Sequence, residues 1–135
     1  MPCTAIQGRV IDLLECLKIL RALSGETRLK LVRLLSLHEL CVCELEHILG
    51  LTQPAISQQV RVLKEAGLAS SRREGNWIFY RVEPDDLKRA LQAVSDCLQG
   101  GRRDERDGPM DNEWKRLAEI LEEPPDNCPR TPRLM

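Results

Sequence analysis

After Gly67 the spacing of apolar residues along the chain changes. Before that point they recur every three or four positions; beyond it, the runs LASSRR (Leu68 to Arg73) and WIFYRV (Trp77 to Val82) follow a period of two. A helix repeats about every 3.6 residues and a strand every two, so the backbone must pass here from helices to extended structure. The two runs flank Glu74, Gly75 and Asn76, a turn-forming core, and together they predict a β-hairpin. Whatever this chain folds into must seat one hairpin late in a helical body.

The helices before it follow from spacing and punctuation. Ile6, Val10, Leu13, Leu17 and Leu20 predict one apolar seam on a helix over residues 5–20. SGET, Ser24 to Thr27, predicts the start of a second helix with Ser24 as N-cap, running through Leu29, Val32 and Leu35 to about Leu37. A short third helix is expected over residues 44–49, apolar at Leu45, Ile48 and Leu49 and closed by Gly50. Thr52 caps a fourth helix, Pro54 sits in its first turn, and Gly67 ends it. Past the hairpin, Pro84 opens a last strong helix carrying Leu87, Leu91, Val94 and Leu98.

Helix, helix, short helix, tight turn, helix, hairpin, helix is the order of a winged helix-turn-helix, a mostly α fold with a small β-hairpin. The first and last helices carry seams with nothing in one chain left to cover them, so dimerisation through those two helices is expected. Residues 1–99 are read as one DNA-binding and dimerisation domain. GGRRDERDGP, Gly100 to Pro109, is a solvated linker; residues 111–122 suit one short helix, and the Pro-containing end to residue 135 reads as a mobile tail.

Composition narrows the function. At 135 residues, 20 Lys+Arg stand against 21 Asp+Glu, a balance unlike that of a polybasic protein. No apolar run approaches the roughly 18 residues of a membrane span, and MPCTAIQGR lacks the order of a signal peptide, so no membrane partner is expected and a cytoplasmic setting is. Thiols stay reduced there, and the 6 cysteines then suggest metal binding, redox sensing or burial before disulfides. With 2 histidines, no nucleophile–base constellation and no phosphate loop, the chain does not read as an enzyme.

The fourth helix sorts cleanly at about 100° per residue. Ile56, Val60 and Leu63 share the inward face, while Pro54, Ser57, Gln58 and Arg61 fall opposite, with Thr52 and Gln53 at the exposed start. Hydroxyls, amides and one guanidinium are suited to base edges and phosphates in a major groove. Residues 52–81 hold Arg61, Lys64, Arg72, Arg73 and Arg81 against Glu65 and Glu74, and Arg72 and Arg73 beside the turn are expected to grip phosphates of double-stranded DNA.

Cys41 and Cys43 lie one residue apart, just ahead of the expected third helix. In an extended approach segment, side chains at i and i+2 project to one side, so the two thiols would converge on one soft ion without that helix unwinding. The helix dipole beside Cys43 would favour its thiolate. Thiolates select As(III), Sb(III), Cd(II), Pb(II) or Zn(II) over hard ions. A disulfide across so small a loop is strained; burial in the core and a thiol-redox switch stay open as alternatives.

The pieces LSGETRL from Leu23, ELCVCEL from Glu39, QPAISQQV from Gln53, LKEAGL from Leu63 and REGNWIFYRV from Arg73 together resemble the ArsR/SmtB family of metalloregulatory repressors. The resemblance spans about residues 18–98 in unbroken order and leaves the region after residue 100 without a counterpart. It implies a homodimeric repressor that sits on operator DNA and leaves when an inducer binds. Arsenic-responsive members look like ELCVCDL here, which implies As(III) or Sb(III) held by Cys41 and Cys43, with Cd(II) or Pb(II) as the second reading. Many such sensors carry a third cysteine where this chain has Glu46, so a trigonal site needs another donor: Cys3 or Cys16, and less readily His47 or Cys128. Cys97 is expected to be buried. The family's other sensing site uses His with Asp on the last helix, and Pro84 to Asp96 holds no His.

Overall fold

The computed structural model describes residues 11–99 and 110–123. Its elements run α1 (Leu13–Leu23), α2 (Glu26–Leu37), β1 (Leu40–Cys41), α3 (Val42–Leu49), α4 (Gln53–Glu65), β2 (Ser70–Glu74), β3 (Trp77–Arg81), α5 (Pro84–Gln99) and α6 (Asp111–Glu122). The period change after Gly67 is realised as expected, with β2 and β3 antiparallel and Gly75 at φ 60° in the turn between them. The last helix and the short helix near residue 111 also form where the sequence puts them.

Three boundaries differ, each because a side chain found a better use. Asp12 caps α1 by accepting the Glu15 N–H at 2.8 Å, so within the described residues that helix begins later than expected; its predicted first turns lie outside them. Ser24 is not the N-cap of α2. Its hydroxyl donates to the Arg21 carbonyl at 2.9 Å and closes α1, leaving Gly25 as the extended residue before α2. The third helix starts at Val42 rather than residue 44, and the segment before it forms the short strand β1. That strand makes the sheet three-stranded, in the order β1-β3-β2, with Leu40 opposite Tyr80 and Cys41 opposite Phe79.

The core collects one face from each of α1 to α5: Ile19 and Ala22 of α1, Leu31 and Leu35 of α2, Leu45 of α3, Ile56, Val60 and Leu63 of α4, and Ala90 and Val94 of α5. Burial of such side chains, about 1.5–3 kcal/mol each, is the main force holding the helices together. On α1 the buried positions are Cys16, Ile19 and Ala22, so the leucine seam read from the sequence turns outward. Leu17 and Leu20 are 40% and 41% exposed, and Leu91 and Leu98 on α5 are 47% and 61% exposed. Helices α1 and α5 pack against each other.

Polar ties fix the remaining angles. Arg28 of α2 donates through Nε to the Ala22 carbonyl (2.8 Å), through Nη2 to the Arg21 carbonyl (3.2 Å) and through Nη1 to Gln59 Oε1 of α4 (2.5 Å). Gly25 leaves room for that guanidinium: a Cβ there would lie 2.9 Å from Arg28 Cζ. Where the sheet meets α2, the Val82 N–H donates to the Leu35 carbonyl at 3.1 Å.

Candidate nucleic-acid interface and cysteine pair

Helix α4 is built as the sequence predicts. Thr52 is its N-cap residue in extended conformation, and Pro54 occupies the first turn, where its missing N–H costs nothing. Ile56, Val60 and Leu63 are buried; Thr52, Gln53, Pro54, Gln58 and Arg61 are exposed and Ser57 is half-buried. Burying the first set is what obliges the second to face outward. Gly50, at φ 66°, reverses the chain between α3 and α4, and the two helices pack together. Lys64 at the end of α4 donates to Ser71 Oγ at 2.8 Å, linking the helix to the hairpin. Between them runs a groove of about 340 Å³ lined by Ser57, Val60, Arg61, Lys64, Glu65 and Tyr80.

The hairpin's two arginines have different fates. Arg73 stands exposed near the turn, its Nε donating to the Gly75 carbonyl at 3.2 Å. Arg72, also expected to grip phosphate, is held by carboxylates in the free protein. Its Nε and Nη2 meet Glu39 Oε1 at 2.8 and 2.6 Å, its Nη1 meets Glu74 Oε2 at 2.8 Å, and its Cζ lies 4.5 Å from the Phe79 ring centroid. The hydrogen bond from Arg72 holds the Glu39 carboxyl below its usual range, and Glu39, then Glu74, push Arg72 further above its own. Sequence reasoning missed this because Glu39 and Arg72 are neighbours only once β1 joins the sheet.

The cysteines are likewise rearranged. Cys41 is the N-cap of α3, buried, with φ −85° and ψ 166°; Cys43 is already inside the first turn and exposed. Cys41 and Glu44 form a reciprocal cap: the Cys41 N–H donates to Glu44 Oε1 at 2.9 Å and the thiol faces the Glu44 N–H. The expectation of an extended segment carrying both thiols is therefore corrected, since the helix begins between them. Burial pushes the Cys41 thiol up, an effect that the Glu44 N–H opposes and the Glu44 carboxylate reinforces.

Of the other donors, Cys16 packs in the core and Cys97 is half-buried against it. His47 is exposed on the last turn of α3. Cys3 and Cys128 lie outside the described residues. Among the described residues no group of three or more His, Cys, Asp or Glu side chains is arranged to hold a metal ion. The donor chemistry still fits a soft ion, as two thiols one residue apart with no hard-ligand cluster around them. Nor is any helix among these residues long and apolar enough to cross a membrane.

A short helix, a tight glycine turn, a second helix with an amide- and hydroxyl-bearing outer face, and a two-stranded wing define a winged helix-turn-helix, a class of DNA-binding regulators. The sequence profile described as bacterial regulatory protein, arsR family, matches residues 25–71. The chain is 34% identical over 118 residues to the arsenic resistance transcriptional regulator ArsR1 of Pseudomonas putida, covering 87% of this chain and 88% of that one. It is 45% identical over 69 residues to the arsenical resistance operon repressor of Escherichia coli, covering 50% of this chain and 59% of the other. A solved structure described as a possible transcriptional regulator for arsenical resistance matches with a TM-score of 0.53 at 35% identity, covering 70% of this chain and 95% of that one. The protein belongs to the arsR family of bacterial regulatory proteins: it is a DNA-binding transcriptional repressor, not an enzyme.

Proposed function

We propose that this repressor holds operator DNA as a homodimer and releases it when arsenite or antimonite is captured by the thiolates of Cys41 and Cys43. The observation that carries the reading is the position of the two thiols at the first turn of α3, the helix packed directly on α4. Bringing both sulfurs to one ion requires that turn to open, because Cys41 lies before the helix and Cys43 within it. Opening breaks the Cys41–Glu44 cap, and α3 then shifts against α4. A soft ion favours the thiolate form and so offsets the burial that keeps Cys41 protonated.

On the DNA side, Thr52, Gln53, Pro54, Ser57, Gln58 and Arg61 enter the major groove and Arg73 grips phosphate from the wing. The uncovered leucines Leu17, Leu20, Leu91 and Leu98 supply the apolar face for a second copy.

Two measurements test this together. Mass spectrometry of the reduced protein with As(III), Cd(II), Pb(II) and Zn(II) should give an As(III) adduct that Cys41→Ser and Cys43→Ser each abolish. Fluorescence anisotropy on a duplex operator should show affinity falling about 5–150-fold with saturating arsenite. Arg61→Ala should weaken operator binding without arsenite and lower its salt slope by about one. Equal affinity with and without arsenite overturns the proposal. A Cd(II) or Pb(II) adduct in place of As(III) changes the inducer, and release by oxidant that dithiothreitol reverses makes the thiols a redox switch.

A further inference from the structure

We infer that the wing is mechanically coupled to the cysteine pair through a latch between Glu39 and Arg72, with Phe79 as its seat; the inference rests on the proposed role of Cys41 and Cys43. Cys41 stands opposite Phe79 in the β1–β3 pairing, and Arg72 stands opposite Phe79 in the β2–β3 pairing. Directly opposed residues of a sheet project from the same face, so Cys41, Phe79 and Arg72 form one row across all three strands. The guanidinium lies over the Phe79 ring at 4.5 Å. It reaches beyond the ring to Glu39, two residues before Cys41, with Nε at 2.8 Å and Nη2 at 2.6 Å from Oε1.

The latch differs from an ordinary surface ion pair in what it spans. Residues 39 and 72 are 33 apart in sequence, and their bond crosses the whole width of the sheet. On one side it holds the residue that leads into the two-residue strand β1. On the other it holds β2, the wing's outer strand, where Glu74 takes the remaining arm of the guanidinium at 2.8 Å. A paired, planar guanidinium is directional, so displacement of Glu39 must either drag Arg72 or release it. Opening the first turn of α3 moves Cys41 and with it the backbone that carries Glu39. The wing therefore receives that motion by a route separate from the packing of α3 on α4. Arg72 acts here as a positioning residue.

The test compares wild type, Glu39→Gln and Arg72→Gln. Operator affinity is measured with and without saturating arsenite, and amide hydrogen exchange is followed over residues 70–81. Glu39→Gln should keep the As(III) adduct by mass spectrometry, yet its arsenite-dependent loss of operator affinity should be about fivefold or more smaller than wild type's, with faster exchange in the wing. Arg72→Gln should match it, because either substitution opens the same latch. A wild-type ratio of affinities retained in Glu39→Gln, with adduct and fold intact, overturns the latch and leaves the inducer proposal standing. A wild type whose affinity ignores arsenite sinks both.

Discussion

Helices α3 and α4 are joined by one glycine turn, and their starts are made in opposite ways. Helix α4 begins openly: Thr52 makes no side-chain capping bond, Pro54 needs none, and the first turn presents its polar side chains outward. What fixes α4 is behind it, in the burial of Ile56, Val60 and Leu63. Helix α3 begins closed: its N-cap thiol is buried, its cap N–H is taken by Glu44, and the residue before the helix is paired to β3. One helix is secured from its apolar side and leaves its end free to meet a partner. The other is secured at its end by polar bonds that a competing ligand can displace.

Measurements on each helix would test that contrast. The largest effect is expected from Ile56→Ala, which empties a fully buried site on α4 and should cost about 2–5 kcal/mol in urea denaturation. If α4 were held mainly at its start, the loss would be far smaller. Next, alkylation followed by mass spectrometry should label exposed Cys43 about tenfold or more faster than Cys41 near neutral pH. Because burial raises the Cys41 pKa, its labelling should accelerate only at pH above the ordinary thiol range, where the thiolate appears. The same shift means that the stability due to the neutral thiol is full at lower pH and is lost as pH rises through the raised value.

Glu44→Ala removes one half of the reciprocal cap and should lower the melting temperature by about 4–8 °C, as loss of a helix cap does in a domain of this size. A Glu44→Ala loss as large as that of Ile56→Ala would erase the distinction between the two helices. The smallest change is expected from Thr52→Ala. With no capping bond to lose, it should shift stability by less than about 0.5 kcal/mol while still weakening operator binding.

The same contrast explains what could be read from the sequence. The inward face of α4, the left-handed Gly50 and the hairpin turn at Gly75 were legible because periodicity and glycine placement report backbone geometry directly. The start of α3 was not. Cysteine is an unusual N-cap, and a strand of two residues, Leu40 and Cys41, carries no alternation to detect. Ser24 suits either end of a helix, and its neighbours decided which it served. On α1 the leucine seam proved to be the outward one, and on α5 it is split, with Val94 in the core and Leu91 and Leu98 exposed, since hydrophobic spacing shows that a face is apolar without saying whether its own chain or another covers it. The pairing of Arg72 with Glu39 was not legible for a related reason: its anion arrives only through tertiary pairing.

The bare Cα of Gly25 has a consequence for protein engineering. A methyl group there would fall 2.9 Å from both Cζ and Nη2 of Arg28, and a side chain so placed swings aside rather than pushing the main chain apart. Swinging aside, however, abandons the hydrogen bonds to Ala22, Arg21 and Gln59. Libraries randomised at position 25 and screened for operator occupancy should thus return glycine: it is vacant space that keeps a neighbouring helix in tune through Arg28 and Gln59.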